Sequence, residues 1–300
     1  GILDHIEMAG IHSGDSACCT PPFSLSLSLQ RQLRDIARRL ALRLGVVGLL
    51  NIQFAIKDQV IYVIEANPRA SRTVPFVSKS TGVPLAKIAA RIMAGEKLAD
   101  LHLPADDREF DYFCVKEAVM PFGRFPGSDV VLGPEMKSTG EVMGIAGNFP
   151  AAFTKTQLAI DYEPPRGGEV FISVNDGDKR NITAIARSVA RLGFSLVATT
   201  GTARALRASG IECEEVGKIH AGSHTILDRI ASGEIVLMIN TPFGSSTNTD
   251  GYEMRAACVR HGVSYCTTLA GAQALIAGME AVRETGLDVI ALQDLPQWEG

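Results

Sequence analysis

The sequence has few of the features that mark membrane or nucleic-acid-binding proteins. Apolar runs such as 46–50 and 235–239 are far shorter than the roughly 20 residues of a membrane-spanning helix. The 29 basic and 33 acidic residues leave a net charge of −4, so no global positive field attracts nucleic acid or an anionic membrane. We therefore expect neither of these partners, and any phosphate site must be local.

Cysteine patterns of secreted or zinc-binding proteins are missing too. The six cysteines include an adjacent pair, Cys18 and Cys19, but no CxxC, and they match neither a disulfide framework nor a zinc site. No basic segment followed by an apolar core opens the chain at Gly1, so we expect no signal peptide there. These features favour a cytoplasmic protein with reduced thiols. Because the chain opens within an apparent strand, we expect it to be a piece of a longer polypeptide.

What the sequence does contain is enough apolar residues, 46% of 300, for two folded domains. Apolar periodicity and Gly/Pro punctuation predict a mixed set of elements in the first half. They are helices 30–44, 84–93 and 149–158, a hairpin of strands 49–56 and 60–65, and strands 113–119 and 140–145.

A linker and a change of pattern mark the second domain. Residues 161–168 contain two prolines and two glycines, which disfavour a helix or a central strand. We therefore divide the chain into domains 1–160 and 161–300. After the linker, strands and helices alternate, which is typical of a doubly wound parallel sheet. The predicted strands are 170–174, 195–198, 214–216, 235–239 and 264–267, and the predicted helices are 180–192, 203–208, 224–230, 252–260 and 271–282.

A cluster of polar residues lies on the predicted hairpin. Asn51 and Gln53 share one face of the first strand, and Glu65 and Asn67 share one face of the second. If the strands pair, their side-chain oxygens converge as a site of the kind that Mg²⁺ prefers. Arg69 and Arg72 would then clamp a phosphoryl group. The spacing alone is equally compatible with a polar hairpin face exposed to water.

These residues, with others along the chain, closely resemble the second ATP-grasp unit of the carbamoyl phosphate synthetase large chain. The motifs are His12-Ser-Gly-Asp-Ser16, Asn51-x-Gln53, Glu65-x-Asn67-Pro68-Arg69-x-x-Arg72, Thr73-Val-Pro-Phe-Val-Ser-Lys79, Gly82-Val-Pro-Leu-Ala86, Val115-Lys-Glu117 and Leu132-Gly-Pro-Glu-Met-Lys-Ser-Thr-Gly140. The resemblance covers essentially the whole chain. It implies an α/β and α+β fold, in which the C-terminal lobe of an ATP-grasp unit precedes a methylglyoxal-synthase-like domain.

The resemblance also implies an activity, namely phosphorylation of carbamate by ATP in carbamoyl phosphate synthesis for the pyrimidine and arginine pathways. Gln53, Glu65 and Asn67 would bind the Mg²⁺ or Mn²⁺ that bridges ATP phosphates, with K⁺ as a further candidate cofactor. Arg69 and Arg72, with Asn67, would be catalytic and contact carbamate or the transferring phosphate. Because the family's upstream ATP-binding lobe does not precede Gly1, we expect this chain alone to be inactive. A glutaminase small subunit and self-association are implied too.

In the second domain, five polar residues fall where open α/β sheets bind ligands, at strand carboxyl ends or helix starts. They are Lys179, Thr199, Thr202, Lys218 and Asn240. Without further information, an N-cap turn with solvated lysines is the favoured explanation. By resemblance to the family's regulatory domain, they would bind the inhibitor UMP or the activator IMP. Pro242 replaces a threonine of some members, and loop 244–249 lacks the basic residues often found there, so the dominant effector stays open.

A third site is implied for ornithine, since Glu7, Asp15, Glu117 and Thr267 match its positions in some bacterial members. Surface acids with ordinary partners are the alternative. Two rival functions also remain at this point. The first is a stand-alone nucleotide-binding regulatory protein, and the second is methylglyoxal synthase activity using Asp176 and Asp178.

Overall fold

A computed structural model describes residues 1–104, 110–125, 129–217, 225–242 and 250–296. The first 160 residues contain six strands and four α-helices within these ranges. The strands are β1 (Asp4–His5), β2 (Cys18–Thr20), β3 (Asn51–Lys57), β4 (Val60–Asn67), β5 (Phe113–Val119) and β6 (Gly140–Ala146). The helices are α1 (Leu27–Arg43), α2 (Thr73–Thr81), α3 (Leu85–Met93) and α4 (Phe149–Ala159).

Two separate antiparallel sheets organise this half. One has the order β1-β2-β5-β6, and the other is the β3-β4 hairpin. The hairpin turn is two residues long because Lys57 pairs with Val60, one residue shorter than the sequence predicts. Asp58 and Gln59 have φ of 51° and 63°, the left-handed geometry whose twist matches paired strands.

Helix α2 is absent from the sequence prediction. Its Thr73-Val-Pro-Phe-Val-Ser-Lys79 segment is rich in β-branched residues, which are weak helix formers. Tertiary contacts stabilise it instead, since Phe76 is buried and the Tyr112 hydroxyl donates to Ser80 O at 2.9 Å. The helix ends at Gly82, whose φ of 69° is the usual geometry of a C-terminal glycine.

The second half confirms the predicted alternation of strands and helices. Its strands are β7 (Glu169–Ser173), β8 (Ser195–Thr199), β9 (Glu214–Val216), β10 (Ile235–Asn240) and β11 (Ser264–Cys266). Its helices are α5 (Ile182–Arg191), α6 (Thr200–Ala208), α7 (Ile226–Ala231), α8 (Asp250–His261) and α9 (Leu269–Thr285). The sheet is parallel with the order β11-β10-β7-β8-β9.

The burial of the central strand β7 shows that helices cover both faces of this sheet. Val170, Phe171 and Ile172 are all fully buried, as expected when helices cover both faces of a parallel sheet. Val170 and Ile172 belong to one apolar cluster, and Phe171 belongs to another. The cluster around Val170 and Ile172 also includes Phe149 and Ala152 of α4. The two halves of the chain therefore share a continuous core.

The fold class inferred from the sequence, α/β with an antiparallel first half, is confirmed. None of the helices within the described ranges has both the length and the apolar character needed to cross a membrane. All six cysteines are free thiols.

Candidate functional site

The β3-β4 hairpin brings the predicted metal ligands together. Gln53 lies directly opposite Glu65, and Asn51 lies opposite Asn67, so all four side chains share one face. Next along the hairpin, Phe54 pairs with Val63, so that Ile64 of β4 has no partner on β3 and forms a bulge. Such a bulge re-aims the neighbouring side chains.

The chemistry of this donor set fits a hard divalent cation. Asn67 Nδ2 donates to Glu65 Oε1 at 2.9 Å, and Gln53 Nε2 donates to Ile11 O at 3.3 Å. Because both amide nitrogens point at protein acceptors, their oxygens are the ends left for a cation. Within the described ranges, no cluster of three or more His, Cys, Asp or Glu forms a metal site. One carboxylate with amide oxygens is the sparse ligation that Mg²⁺ accepts when phosphates complete its shell.

The two predicted arginines differ in their surroundings. Arg69 is exposed, and its Nη1 donates to the neighbouring Ala70 O at 2.9 Å. Arg72 is partly buried, and its guanidinium donates to Gly14 O at 2.8 Å and lies 3.4 Å from Glu141 Oε1. Arg72 also donates to Ser138. It thus joins the start of α2 to loops on the first sheet, whereas Arg69 remains the freer cation for a ligand.

A second candidate site is a cavity of about 340 Å³ at the carboxyl ends of β7, β8 and β10. Its lining includes Ser173, Thr199, Gly201 and Asn240. Lys179 reaches the same place, because its Nζ lies 2.9 Å from the position that a Cβ on Gly201 would take. The first turn of α6 and this ammonium group both favour an anion.

The other predicted effector residues have distinct positions. Thr202 is buried, and its Oγ1 accepts a hydrogen bond from Val174 N at 3.3 Å, so it supports the cavity wall. Asn240 Nδ2 donates to Ser173 O at 3.1 Å. Lys218 and loop 244–249 lie outside the described residues.

Two partly buried acids, Glu7 and Glu117, form the third candidate site, between the halves of the chain. Desolvation raises the pKa of Glu7 to about 8, and the charge of Glu117 contributes. Desolvation likewise raises the pKa of Glu117 to about 7. Thr267 directly follows Cys266, a thiol whose pKa is raised to about 12 by burial and then by the charges of Glu117 and Glu7. The raised pKa values favour the protonated form of these acids near neutral pH. The positive charge of a bound ammonium group would lower their pKa again, and a proton would leave to solvent.

Asp15 is directed elsewhere, because its carboxylate accepts from Lys137 N at 2.7 Å and Ser138 N at 2.9 Å. The structure brings Glu7, Glu117 and the Thr267 segment together, while Asp15 orders the adjoining loop. Two further residues, Gln157 and Tyr162, lie near these acids and were not predicted from the sequence. Gln157 Nε2 donates to Glu117 Oε2 at 3.0 Å, and the Tyr162 hydroxyl is buried beside Cys266 without a hydrogen-bond partner in the described ranges.

The raised pKa values predict that unfolding free energy falls as pH rises. Below pH about 4.5 both states hold the proton of Glu7, but between 4.5 and about 8 only the folded state retains it. Stability should therefore drop by about 2–4 kcal/mol between pH 5 and pH 8.5. Urea unfolding across this range measures the drop, and Glu7→Gln should reduce it. Glu96→Gln, at an exposed ion pair with Arg91, should leave it unchanged. Equal pH slopes for wild type and Glu7→Gln would contradict the assignment.

Two family models match different parts of the chain. Residues 3–101 match the family described as carbamoyl-phosphate synthase L chain, ATP binding domain. Residues 181–267 match the MGS-like domain family. Among solved structures, a biotin carboxylase domain of a thermophilic 2-oxoglutarate carboxylase is 17% identical with a TM-score of 0.39, and it covers 51% of this chain and 44% of that chain.

Curated relatives match along nearly the whole chain. The carbamoyl phosphate synthase large chain of Myxococcus xanthus is 50% identical over 294 residues, which are 98% of this chain and 27% of that protein. The corresponding protein of Pasteurella multocida is 51% identical over 298 residues, 99% of this chain and 28% of that protein. The chain thus spans about a quarter of the length of these relatives. By sequence the chain is similar to part of the carbamoyl phosphate synthase large chains, with a match to their ATP-binding domain in its first half and to an MGS-like domain in its second half.

Proposed function

We propose that this segment, within a longer large chain, takes part in ATP-dependent phosphorylation of carbamate to carbamoyl phosphate. The observation that carries the proposal is the register that sets Gln53 against Glu65, with the Asn67 amide beside the Glu65 carboxylate. These residues suit Mg²⁺ or Mn²⁺, and K⁺ is a further candidate. The overall synthesis would use bicarbonate, glutamine-derived ammonia and two ATP, for pyrimidine and arginine production. We propose that this segment is inactive without the family's other ATP-binding lobe.

The proposed reaction needs positioning and charge neutralisation more than a nucleophile from the protein. A divalent metal, when bound, neutralises the charge of the ATP phosphates and aligns the transferring group. The proposed metal ligands Gln53, Glu65 and Asn67 lie on one face of the hairpin, as its register requires. Arg69 is free to contact carbamate or the transferred phosphate. Arg72 donates to Gly14 O, and we propose that it holds the neighbouring loop in place as well as facing the substrate.

We propose that 161–300 is a regulatory domain, whose apolar core continues into 1–160. The cavity beside Thr199, Gly201 and Asn240 would bind the phosphate and sugar of UMP or IMP. Glu7 and Glu117 would receive an amino group of ornithine, with Thr267 close by. We further propose a glutaminase small subunit as partner, an oligomeric assembly and a cytoplasmic location. ATP synthesis from carbamoyl phosphate and ADP tests the catalytic role, and nucleotide titration tests the regulatory one.

Lys179→Ala is expected to weaken UMP or IMP binding by roughly tenfold or more. The substitution removes the ammonium group beside the first turn of α6, and charge-assisted hydrogen bonds to phosphate are among the stronger ones. Calorimetric titration of the 300-residue chain in phosphate-free buffer measures the change. Lys218→Ala should act in the same direction.

The matched control is Lys87→Ala, which removes an exposed lysine of α3 and should leave the nucleotide Kd unchanged. Titration with ornithine in the same buffer tests the proposed role of Glu7 and Glu117 separately. Nucleotide binding that is equally tight in wild type and Lys179→Ala would contradict the proposed effector pocket.

A further inference from the structure

A buried arginine of α8 links the effector cavity to the first half of the chain. Arg255 is 2% exposed. Its Nε and Nη2 donate to the two carboxylate oxygens of Asp129 at 2.9 and 2.6 Å, and its Nη1 donates to Asn240 Oδ1 at 2.8 Å. Asp129 is far from Arg255 in sequence and belongs to the loop between β5 and β6. Neither residue belongs to a motif that the sequence prediction uses.

These contacts determine which end of the Asn240 amide faces each neighbour. A guanidinium only donates hydrogen bonds, so Arg255 must face the oxygen of the amide. Ser173 O only accepts, and it takes a hydrogen from Asn240 Nδ2 at 3.1 Å. Asn240 also lines the cavity, and among the described residues its second N–H and second oxygen lone pair are left for a ligand.

Arg255 in turn depends on Asp129. A two-pronged arginine–carboxylate pair fixes the plane of the guanidinium. Although desolvation raises the pKa of Asp129, hydrogen bonds from Arg255 hold it below its usual value, so the carboxylate is ionised. The Asp129 loop is itself anchored, since Lys137 Nζ donates to Asp129 O at 3.1 Å and Lys137 N donates to Asp15.

We propose that Asp129 is a positioning residue for the effector cavity, which acts through Arg255 to orient the Asn240 amide toward a nucleotide ligand. The inference rests on the proposed effector function of the second half. It means that a loop of the first half contributes to nucleotide affinity without touching the ligand. Movement of that loop would then alter binding, and by linkage a bound nucleotide would favour one loop position.

Two readouts test this proposal on the 300-residue chain. In ¹⁵N-labelled protein, Asp129→Asn should move the side-chain amide signal of Asn240, assigned through its loss in Asn240→Asp. The side-chain amide signals of Asn51 and Asn67, on the hairpin, should stay in place. Calorimetry with UMP should show a Kd raised roughly tenfold, whereas Asp129→Glu, which keeps the carboxylate, should recover part of the affinity.

The matched control is Asp288→Asn, which breaks the more exposed ion pair with Lys155 and should leave both readouts unchanged. If Asp129→Asn does not fold, the same two measurements are made on Arg255→Lys. Lysine keeps the positive charge but cannot donate two parallel hydrogen bonds to the Asp129 carboxylate. An unmoved Asn240 signal in a folded variant overturns the proposal. So does an unchanged Kd when wild type binds UMP. If wild type binds neither UMP nor IMP, the effector function fails, and the Asn240 signal alone decides the positioning role.

Discussion

Glu65→Ala, made in a full-length large chain that carries this sequence, is expected to reduce ATP synthesis from carbamoyl phosphate and ADP by roughly 10²–10³-fold. Glu65 supplies the only carboxylate in the set with Gln53 and Asn67, and the Asn67 amide is oriented by it at 2.9 Å. Removing it would lose a metal ligand and release Asn67 as well. UMP affinity should stay unchanged, because the effector cavity lies on a different sheet.

Glu65→Gln separates charge from shape in this prediction. It retains an oxygen ligand but not the negative charge, so excess Mg²⁺ should partly restore its activity, whereas Glu65→Ala should respond less. Glu96→Gln removes another partly exposed carboxylate of the same half and should keep wild-type rates. Undiminished ATP synthesis by a folded Glu65→Ala enzyme would contradict the assignment of Glu65 as a metal ligand.

The shared face of the hairpin residues could be predicted, because it depends only on the alternation of side chains along each strand. Alternate residues share a face in any strand, so the spacing of Gln53, Glu65 and Asn67 already placed their side chains together once the strands paired. The two-residue turn at Asp58 and Gln59 and the bulge at Ile64 were not visible. A bulge has no strict residue signature, and here it changes the register only beyond the pair that matters for the site.

Long-range contacts could not be predicted in the same way. Arg255 lies in a helix beside the buried Met254 and near Ala257, so its position could suggest a buried cation, but nothing local points to Asp129. The same holds for Asp15, whose carboxylate caps the backbone at Lys137 and Ser138. Its residue type suited an amino group, and only the tertiary structure shows that two N–H groups already occupy it.

Helix α2 shows a different limit. The sequence prediction contains no helix over Thr73–Thr81, whose threonines and valines are weak helix formers. The buried Phe76 and the hydrogen bond from Tyr112 to Ser80 O come from packing against the first sheet. Since α2 begins directly after Arg72, this packing also sets the position of one of the proposed catalytic residues.

Gly144→Ala is expected to destabilise the chain by about 3 kcal/mol or more. Gly144 lies in β6 where α4 crosses it, and an added Cβ would stand 2.1 Å from Ala152 O and 3.0 Å from Lys155 Cβ. A helix carbonyl cannot rotate away as a side chain does, so α4 itself must move. Ala152 and Phe153 of α4 belong to the core that joins both halves, so that movement would loosen the whole chain.

Gly140→Ala is the matched control in the same strand. Its Cβ would meet only Val119 side-chain atoms at 3.7 Å, an ordinary contact, so its urea midpoint should stay close to wild type. Because α4 also carries Gln157, which donates to Glu117, Gly144→Ala should weaken ornithine binding even where the chain still folds. Equal urea midpoints for the two alanine variants would show that α4 tolerates displacement from β6. The close approach of strand and helix, rather than the backbone freedom of glycine, is therefore what requires Gly144.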